Sequence, residues 1–565
     1  MMIHRSMFGQ HLTIQKWGSV FITTSLLVAF FGAFIWSING DWVYSAQSQS
    51  PDIWEFVPSS GNVVGQTFTA YEAGLKAIEV KMNFLGDTPS ELLTLHIHTN
   101  DAARTRVATA TAYPQTGHHW VRFTFQALPT SRLNDYIFYI ESQLSQTINL
   151  YTAPADTYLD GAAYLNNAPQ NRQLVFNLIY QRTWMLWDTI QRLSKAVPTI
   201  FVILLLLLSP GGALLVWLWP NRDLDRYGSI IVAMGLSIAC LPLMLLIAYQ
   251  LNIQLTAGVI WGIIVLSIVA WGIGIRNHNF SSLSIKRRIS FEEAGLYTTL
   301  CLLTLAVILS RFWVIRNLTI PLWGDSYQHT LISQLMLNHG GLFQSWQPYS
   351  FSSSFTYHFG FHSFVMIMAM LTGKTSPEAV ILTGQLMNTL AVLALYPLGY
   401  KLGDKRAWAG IGAVFIAGFM FTMPAFYVNW GRYTQLTGQV ILPIAAILTF
   451  ALFQHRSWKS LVLAVLVSAG LSLTHYRITI IFGLLIVAWL SIDLMRSSQK
   501  WLRFRQYFGW GLAYGIATVL ILMPWILNLQ QGNIATIGSR VAAKIGKACN
   551  PLSVGLHSTT HTQQG

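Results

Sequence analysis

The chain has 565 residues, of which 53% are hydrophobic and only 10% are Asp, Glu, Lys or Arg, with 21 Trp and 31 Phe. A soluble chain carries about 25% charged residues, so this composition excludes a soluble globular protein and implies a polytopic α-helical membrane protein. The formal charge of +14 does not indicate a nucleic-acid partner, because the basic residues sit in short clusters between apolar runs, as bilayer topology requires.

Residues 1–40 read as an N-terminal membrane anchor helix. The apolar run from about 17 to 38 follows Arg5 and Lys16, exceeds 20 residues and lacks a small-x-small cleavage site, so it predicts a retained anchor rather than a removed signal peptide. Residues 41–182 change character to short alternating runs, among them "GQTFTA", "LKAIEVKM", "LLTLHIH", "TRVATATAY", "HWVRFTF", "YIFYIES" and "LVFNLIY". Period-two alternation between turn residues predicts an antiparallel β-sandwich of jelly-roll type. Trp184, Trp187, Arg192 and Lys195 then form an amphipathic return to the membrane interface, and residues 183–293 hold this segment and three transmembrane helices.

Residues 294–530 form the main transmembrane core, with an external loop at 317–377. After the anchor, spans are expected at about 197–219, 228–249, 254–275, 294–316, 378–400, 407–424, 437–453, 459–474, 478–494 and 508–527, giving about 11 crossings. The basic loops "NRDLDRYG", "RNHNFSSLSIKRRIS", "KLGDKR", "QHRSWK" and "MRSSQKWLRFR" belong inside by the positive-inside bias, which puts the sandwich and the 317–377 loop outside. Counting 357–372, which begins "YHFGFH", as a crossing would reverse that bias downstream, so it reads as a juxtamembrane or re-entrant helix. Residues 531–565 have no helical pattern and look like a truncated or frame-shifted tail. The cysteines Cys240, Cys301 and Cys549 show neither metal spacing nor a disulfide framework.

This topology brings four polar stretches, from three loops, to the outer face. Asp325 stands in "PLWGDSYQH", and no Asp, Glu, Lys or Arg occurs between it and Lys374. If the stretch after Trp323 is helical, Asp325 and His329 share a face at i,i+4. "SFTYHFGFH" places His358 and His362 four apart, a spacing that with a carboxylate would suit a divalent cation, although hydrogen-bonded packing is the commoner role for such histidines. "NWGRYTQLTG" supplies Arg432, Tyr433 and Gln435, and "THYR" supplies His475, Tyr476 and Arg477. Arginines at a membrane edge either snorkel to lipid headgroups or clamp a phosphate.

Placed on those four stretches, the chain resembles the GT-C superfamily of polyprenyl-phosphate-sugar-dependent glycosyltransferases, of the mannosyltransferase and aminoarabinose-transferase kind, over roughly residues 294–530. The resemblance implies transfer of a hexose or pentose from a polyprenyl-phosphate donor to an extracytoplasmic glycan, lipid or protein acceptor, in the plasma membrane. It implies Asp325 as catalytic base, Arg432 and Arg477 as the phosphate clamp, and Tyr327, His329, His358, His362, Tyr433, Gln435, His475 and Tyr476 as substrate-binding residues. Asp325 lacks the adjacent acid of some members, and Arg432 stands where others carry a carboxylate, which leaves metal dependence open with a divalent cation as the one candidate cofactor. The alternatives are a non-catalytic carbohydrate-binding or polysaccharide-export component gripping glycan with Trp120, Tyr136 and Tyr139, or a ligase of the O-antigen type, which would not need Asp325.

Overall fold

The computed structural model describes residues 40–47, 52–56, 63–84, 92–113, 115–142, 148–219, 223–277, 290–350 and 354–531, with isolated positions 25 and 32. The expected N-terminal anchor, Cys549 and the expected irregular tail lie outside these. The chain divides into two compact units, Met1–Val197 and Pro198–Gly565.

The first unit is a two-sheet antiparallel sandwich. One sheet runs β1 (Asp41–Gln47), β13 (Phe176–Gln181), β4 (Leu75–Phe84), β9 (Ile148–Pro154), β12 (Arg172–Leu174), with β2 (Asp52–Phe56) on β9 and β7 (Gly117–Leu128) on β4. The other runs β11 (Ala168–Pro169), β10 (Ala163–Leu165), β3 (Val64–Ala70), β8 (Asn134–Ser142), β5 (Leu93–Thr99), β6 (Arg106–Ala112). Alternation does the sorting: in β4 Ile78, Val80, Met82 and Phe84 enter the core, where Phe68, Phe138 and Phe176 meet them from other strands. Gln66 on β3 ties the two sheets together, donating to Gln173 Oε1 on β12 at 2.6 Å and accepting from the Leu174 amide at 2.9 Å.

The run "LVFNLIY", expected as one strand, is two. Val175 lies between β12 and β13, accepts from the Lys81 amide and donates to the Tyr151 carbonyl, so the chain changes partner from β9 to β4 there. Of the three aromatics proposed to grip glycan, Tyr136 is 5% exposed and belongs to the core. Tyr139 accepts from Arg104 through its hydroxyl, and Trp120 remains 38% exposed.

Helix α1 (Arg182–Leu218) begins in this unit and ends in the second. The expected interfacial segment and first span are thus one continuous 37-residue helix. The second unit continues with α2 (Arg226–Gln250), α3 (Ala257–Asn277), α4 (Phe291–Trp313), α5 (Gly324–His339), α6 (Gly360–Thr372), α7 (Ser376–Leu393), α8 (Leu395–Leu402), α9 (Ala407–Phe415), α10 (Tyr433–His455), α11 (Trp458–Thr474), α12 (Tyr476–Arg496) and α13 (Lys500–Gln531). Among the described residues eight helices are long and apolar enough to cross a membrane, and three apolar helices are shorter. The chain is a multi-pass α-helical membrane protein with a β-rich N-terminal unit.

Two expected spans are interrupted. The helix over 376–402 breaks at Ala394, because Pro397 has no amide to return to the preceding turn. The run at 407–424 is helical only to Met420, its last turn a π-helix at Ile416–Met420. At about 1.5 Å per residue it falls well short of a hydrocarbon layer about 30 Å thick, and the Gly418 carbonyl in the widened turn accepts from Arg311 at 2.9 Å. Helix α6, the segment that begins at the two histidines, is also too short to span alone, and ten of its residues from Gly360 to Ala369 are buried among neighbouring helices.

The helices are long enough to give the second unit two distinct ends. At one, Asp223 meets Lys405 at 3.1 Å and His455 at 3.5 Å, and Tyr396 donates to Asp225, which caps α2. Three of the basic loops therefore meet. Asp325, Arg432 and His475 occupy the ends of α5, α10 and α11 remote from it.

Candidate active site

Asp325 lies in the first turn of α5, where the unpaired amides of a helix start favour a carboxylate. Its position is fixed by a backbone contact across 106 positions of sequence. Gly431 closes the 3-10 turn Ala425–Trp430 with φ +64, and a Cβ on it would stand 2.9 Å from both Asp325 Cβ and the Ser326 amide. Only glycine fits both the dihedral and the gap. The next residue, Arg432, reaches Asp325 Oδ2 with its Nη1 at 3.5 Å.

The side chains of Arg432 and Asp325 remain 55% and 46% exposed. An ion pair so open to water stabilises a fold by at most about 1 kcal/mol. The pair is better regarded as an acid and a cation held ready at the surface of an apolar bundle than as a brace.

Beneath it the packing is dense. Ser326 is fully buried, and its Oγ bonds both the Leu322 carbonyl and the Tyr433 hydroxyl, the latter at 3.1 Å. With one proton available, the serine donates to the carbonyl and accepts from the tyrosine. Tyr433 stacks on Phe361 with centroids 5.1 Å apart, and Gly384 of α7 leaves room for its ring. Tyr433 is thus a packing and hydrogen-bonding element, 1% exposed.

The histidines form a second layer. Asp325 and His329 do share a helix, as their spacing predicts, but the His329 ring turns inward, with Nδ1 2.9 Å from His362 Nε2 and a further hydrogen bond to the Gly431 backbone. His362 is completely buried, and its Nδ1 has no hydrogen bond of good geometry. His358 precedes α6 rather than standing on it, so the two do not share a helical face. Its Nε2 meets Thr434 Oγ1 at 3.1 Å, and its ring packs edge-on to His475 at 4.8 Å and Tyr476 at 5.1 Å.

Burial pushes His329 down to about 4, with Asp325 opposing and Arg432 reinforcing the shift. His358 is lowered to about 3 by burial and then by His475, His329 and Arg477. His475 is lowered to about 4 by burial and then by Arg477 and Arg432. All three are neutral at pH 7.

His475 caps α12, its Nδ1 accepting from the Ile478 amide at 3.4 Å. Tyr476 donates to the Thr356 carbonyl and accepts from the Trp525 indole, so it anchors the 354–359 stretch. Arg477 is exposed and acts electrostatically on His358 and His475, but pairs with no acid among the described residues. Gln435 is half-buried in the first turn of α10. Among the described residues no three His, Cys, Asp or Glu side chains gather as metal ligands. The imidazoles nearest Asp325 already hold other partners, so this donor set does not fit a divalent cation.

Sequence reasoning missed Gly431, Ser326 and Thr434, and missed a cavity lined from α5 by the residues two and three positions beyond Asp325. That cavity, about 500 Å³, is lined by Tyr327, Gln328, Trp346, Tyr349, Thr356 and Tyr357 among others. A glycine between Trp430 and Arg432, at the point where a helix starts, was the one local signal for Gly431.

No curated protein gives a significant match to the chain. Residues 204–544 match a family model, a stretch that begins inside α1, contains every residue of the site and leaves out the β-sandwich. It covers more than half of the 565 residues. The chain belongs to DUF6541, a family of unknown function.

Proposed function

We propose that this protein is a membrane glycosyltransferase that moves a sugar from a polyprenyl-phosphate donor to an acceptor hydroxyl on the extracytoplasmic side, with inversion at the anomeric carbon. The observation that carries this reading is the Asp325–Arg432 pair, 3.5 Å apart and open to water at the end of an apolar bundle. The basic loops gathered at the Asp223 end favour that end as cytoplasmic.

In the reaction the acceptor oxygen forms its bond to the anomeric carbon as the bond from that carbon to the phosphate oxygen breaks. The acceptor proton passes to Asp325, and the electron pair leaves with the phosphate. Arg432 takes up the charge on the leaving group, with Arg477 as the second cation. In the resting state Arg432 rests against Asp325; donor phosphate draws it away and frees the carboxylate to act as base. Neutral His329 holds Gly431 in place through a backbone hydrogen bond, while the partly exposed His358 and His475 offer uncharged imidazoles to sugar hydroxyls.

The test is transfer from labelled polyprenyl-phosphate sugars, hexoses and pentoses, in membranes containing wild type, Asp325→Asn or Asp325→Glu. Full activity in Asp325→Asn rules the aspartate out as base. A second reading, a glycan-binding sandwich, has one observation behind it: Trp120 is partly exposed on a strand facing Lys81. It predicts that removing residues 41–182 abolishes glycan binding.

A further inference from the structure

The cavity beside Asp325 has a composition unlike the rest of the site. Four of its walls are aromatic, Tyr327, Trp346, Tyr349 and Tyr357, and its polar groups are neutral, among them Gln328 and Thr356; no charged side chain lines it. At about 500 Å³ it lies within the ~300–1,000 Å³ of small-molecule sites. Two of its aromatic walls are backed. Trp346 donates its indole N–H to the Ser354 carbonyl at 3.1 Å and packs edge-on against Phe343. Tyr357 stacks on His358 with centroids 4.0 Å apart.

Aromatic faces with a few uncharged hydrogen-bonding groups suit a ligand that is apolar on one face and hydroxylated at its rim. An anion finds no counter-charge there, and a lipid tail would leave Gln328 and Thr356 without partners. Tyr357 joins the cavity to the chemistry: it lines the wall and lies in the electrostatic field of both Asp325 and Arg432. Tyr327 follows Asp325 by two residues on α5.

We infer that this cavity binds a neutral saccharide and, resting on the transfer reading for its role, that the saccharide is the acceptor whose hydroxyl faces Asp325. Donor phosphate then belongs at Arg432, and the two substrates are sorted by charge: anion to the guanidinium, uncharged sugar to the aromatic walls.

The experiment uses the full chain in nanodiscs, with saturation-transfer NMR against methyl glycosides of glucose, galactose, mannose and arabinose, and glucose 1-phosphate as the charged comparator. Saturation of at least one neutral glycoside is expected, strongest on the C–H face, with its Kd raised about tenfold in Tyr349→Ala, which removes one aromatic wall. Tyr349 is 58% exposed, so its truncation leaves the fold intact. Gln328→Ala is a second variant, also at an exposed position. Binding of glucose 1-phosphate alone, or glycoside binding indifferent to both substitutions, overturns the assignment.

Asp325→Asn separates this inference from the transfer reading. Glycoside binding that survives in a variant retaining transfer leaves the saccharide site standing and removes the catalytic base. Transfer lost in Asp325→Asn, with acceptor KM unchanged in Tyr349→Ala and Gln328→Ala, removes the saccharide site and leaves the base.

Discussion

The two ends of the helical unit treat their acids in opposite ways. At one end Asp223 is ligated by Lys405 and His455 and Asp225 caps α2 while accepting from Tyr396, so both carboxylates join loops together. Burial works against ionisation of Asp223, but Lys405, Lys401 and His455 outweigh it and hold its carboxyl below the ordinary range. At the other end Asp325 has one loose cation and a cavity beside it. A carboxylate saturated with partners serves the fold; one held in position but left partly unsatisfied is available for chemistry.

The sharpest way to break that contrast is Asp325→Asn, expected to lower transfer by about 10²–10⁴-fold, the range for losing a general base, with thermal unfolding unchanged. A large loss of stability would place Asp325 in the same class as Asp225. Next in size, Arg432→Ala should reduce kcat/KM by about 10²–10³-fold, as for removal of a charge-stabilising donor, and donor titration should show weaker binding. Gly431→Ala combines a left-handed dihedral with a 2.9 Å clash, and should cost about 1–3 kcal/mol in denaturant unfolding together with most of the activity. Tyr396→Phe tests the opposite end: it should cost about 0.5–1.5 kcal/mol and leave turnover per folded molecule at the wild-type value.

A test on a different axis concerns pH. Unfolded imidazoles take up a proton near pH 6.5, whereas folded His329 and His475 do so only near pH 4. Between those values the unfolded chain binds more protons, so stability is complete above about pH 6.5 and falls as the pH drops toward 4. His329→Gln should flatten that part of the curve in unfolding measured from pH 7 to 4.

What was legible in the sequence was local. Apolar runs fix helices because lipid leaves a backbone amide no other partner, and alternation placed β4 and β8 within a residue or two of their observed bounds. The i,i+4 spacing put Asp325 and His329 on one helix. Contacts between distant segments had no such signature. Ser326 with Tyr433, His329 with His362 and Gly431 with Asp325 are separated by 107, 33 and about a hundred positions. Nothing in either partner's neighbourhood announces the other. Trp346 and Tyr349 sit in an irregular stretch between α5 and α6, where no periodicity shows which way a side chain turns. The change of partner at Val175 depends on which strands flank it, which a run of apolar letters does not record.

Gly431 gives the reactive centre an unusual form of economy. Because the absence of a Cβ lets its backbone approach the residue that bears the acid, while its neighbour bears the cation, the main chain brings the two charged side chains within reach of each other across the sequence. On the proposed reading, the aromatic walls of the cavity can be exchanged to favour a different sugar while that main-chain approach is kept, which makes this site a promising scaffold for altering substrate choice.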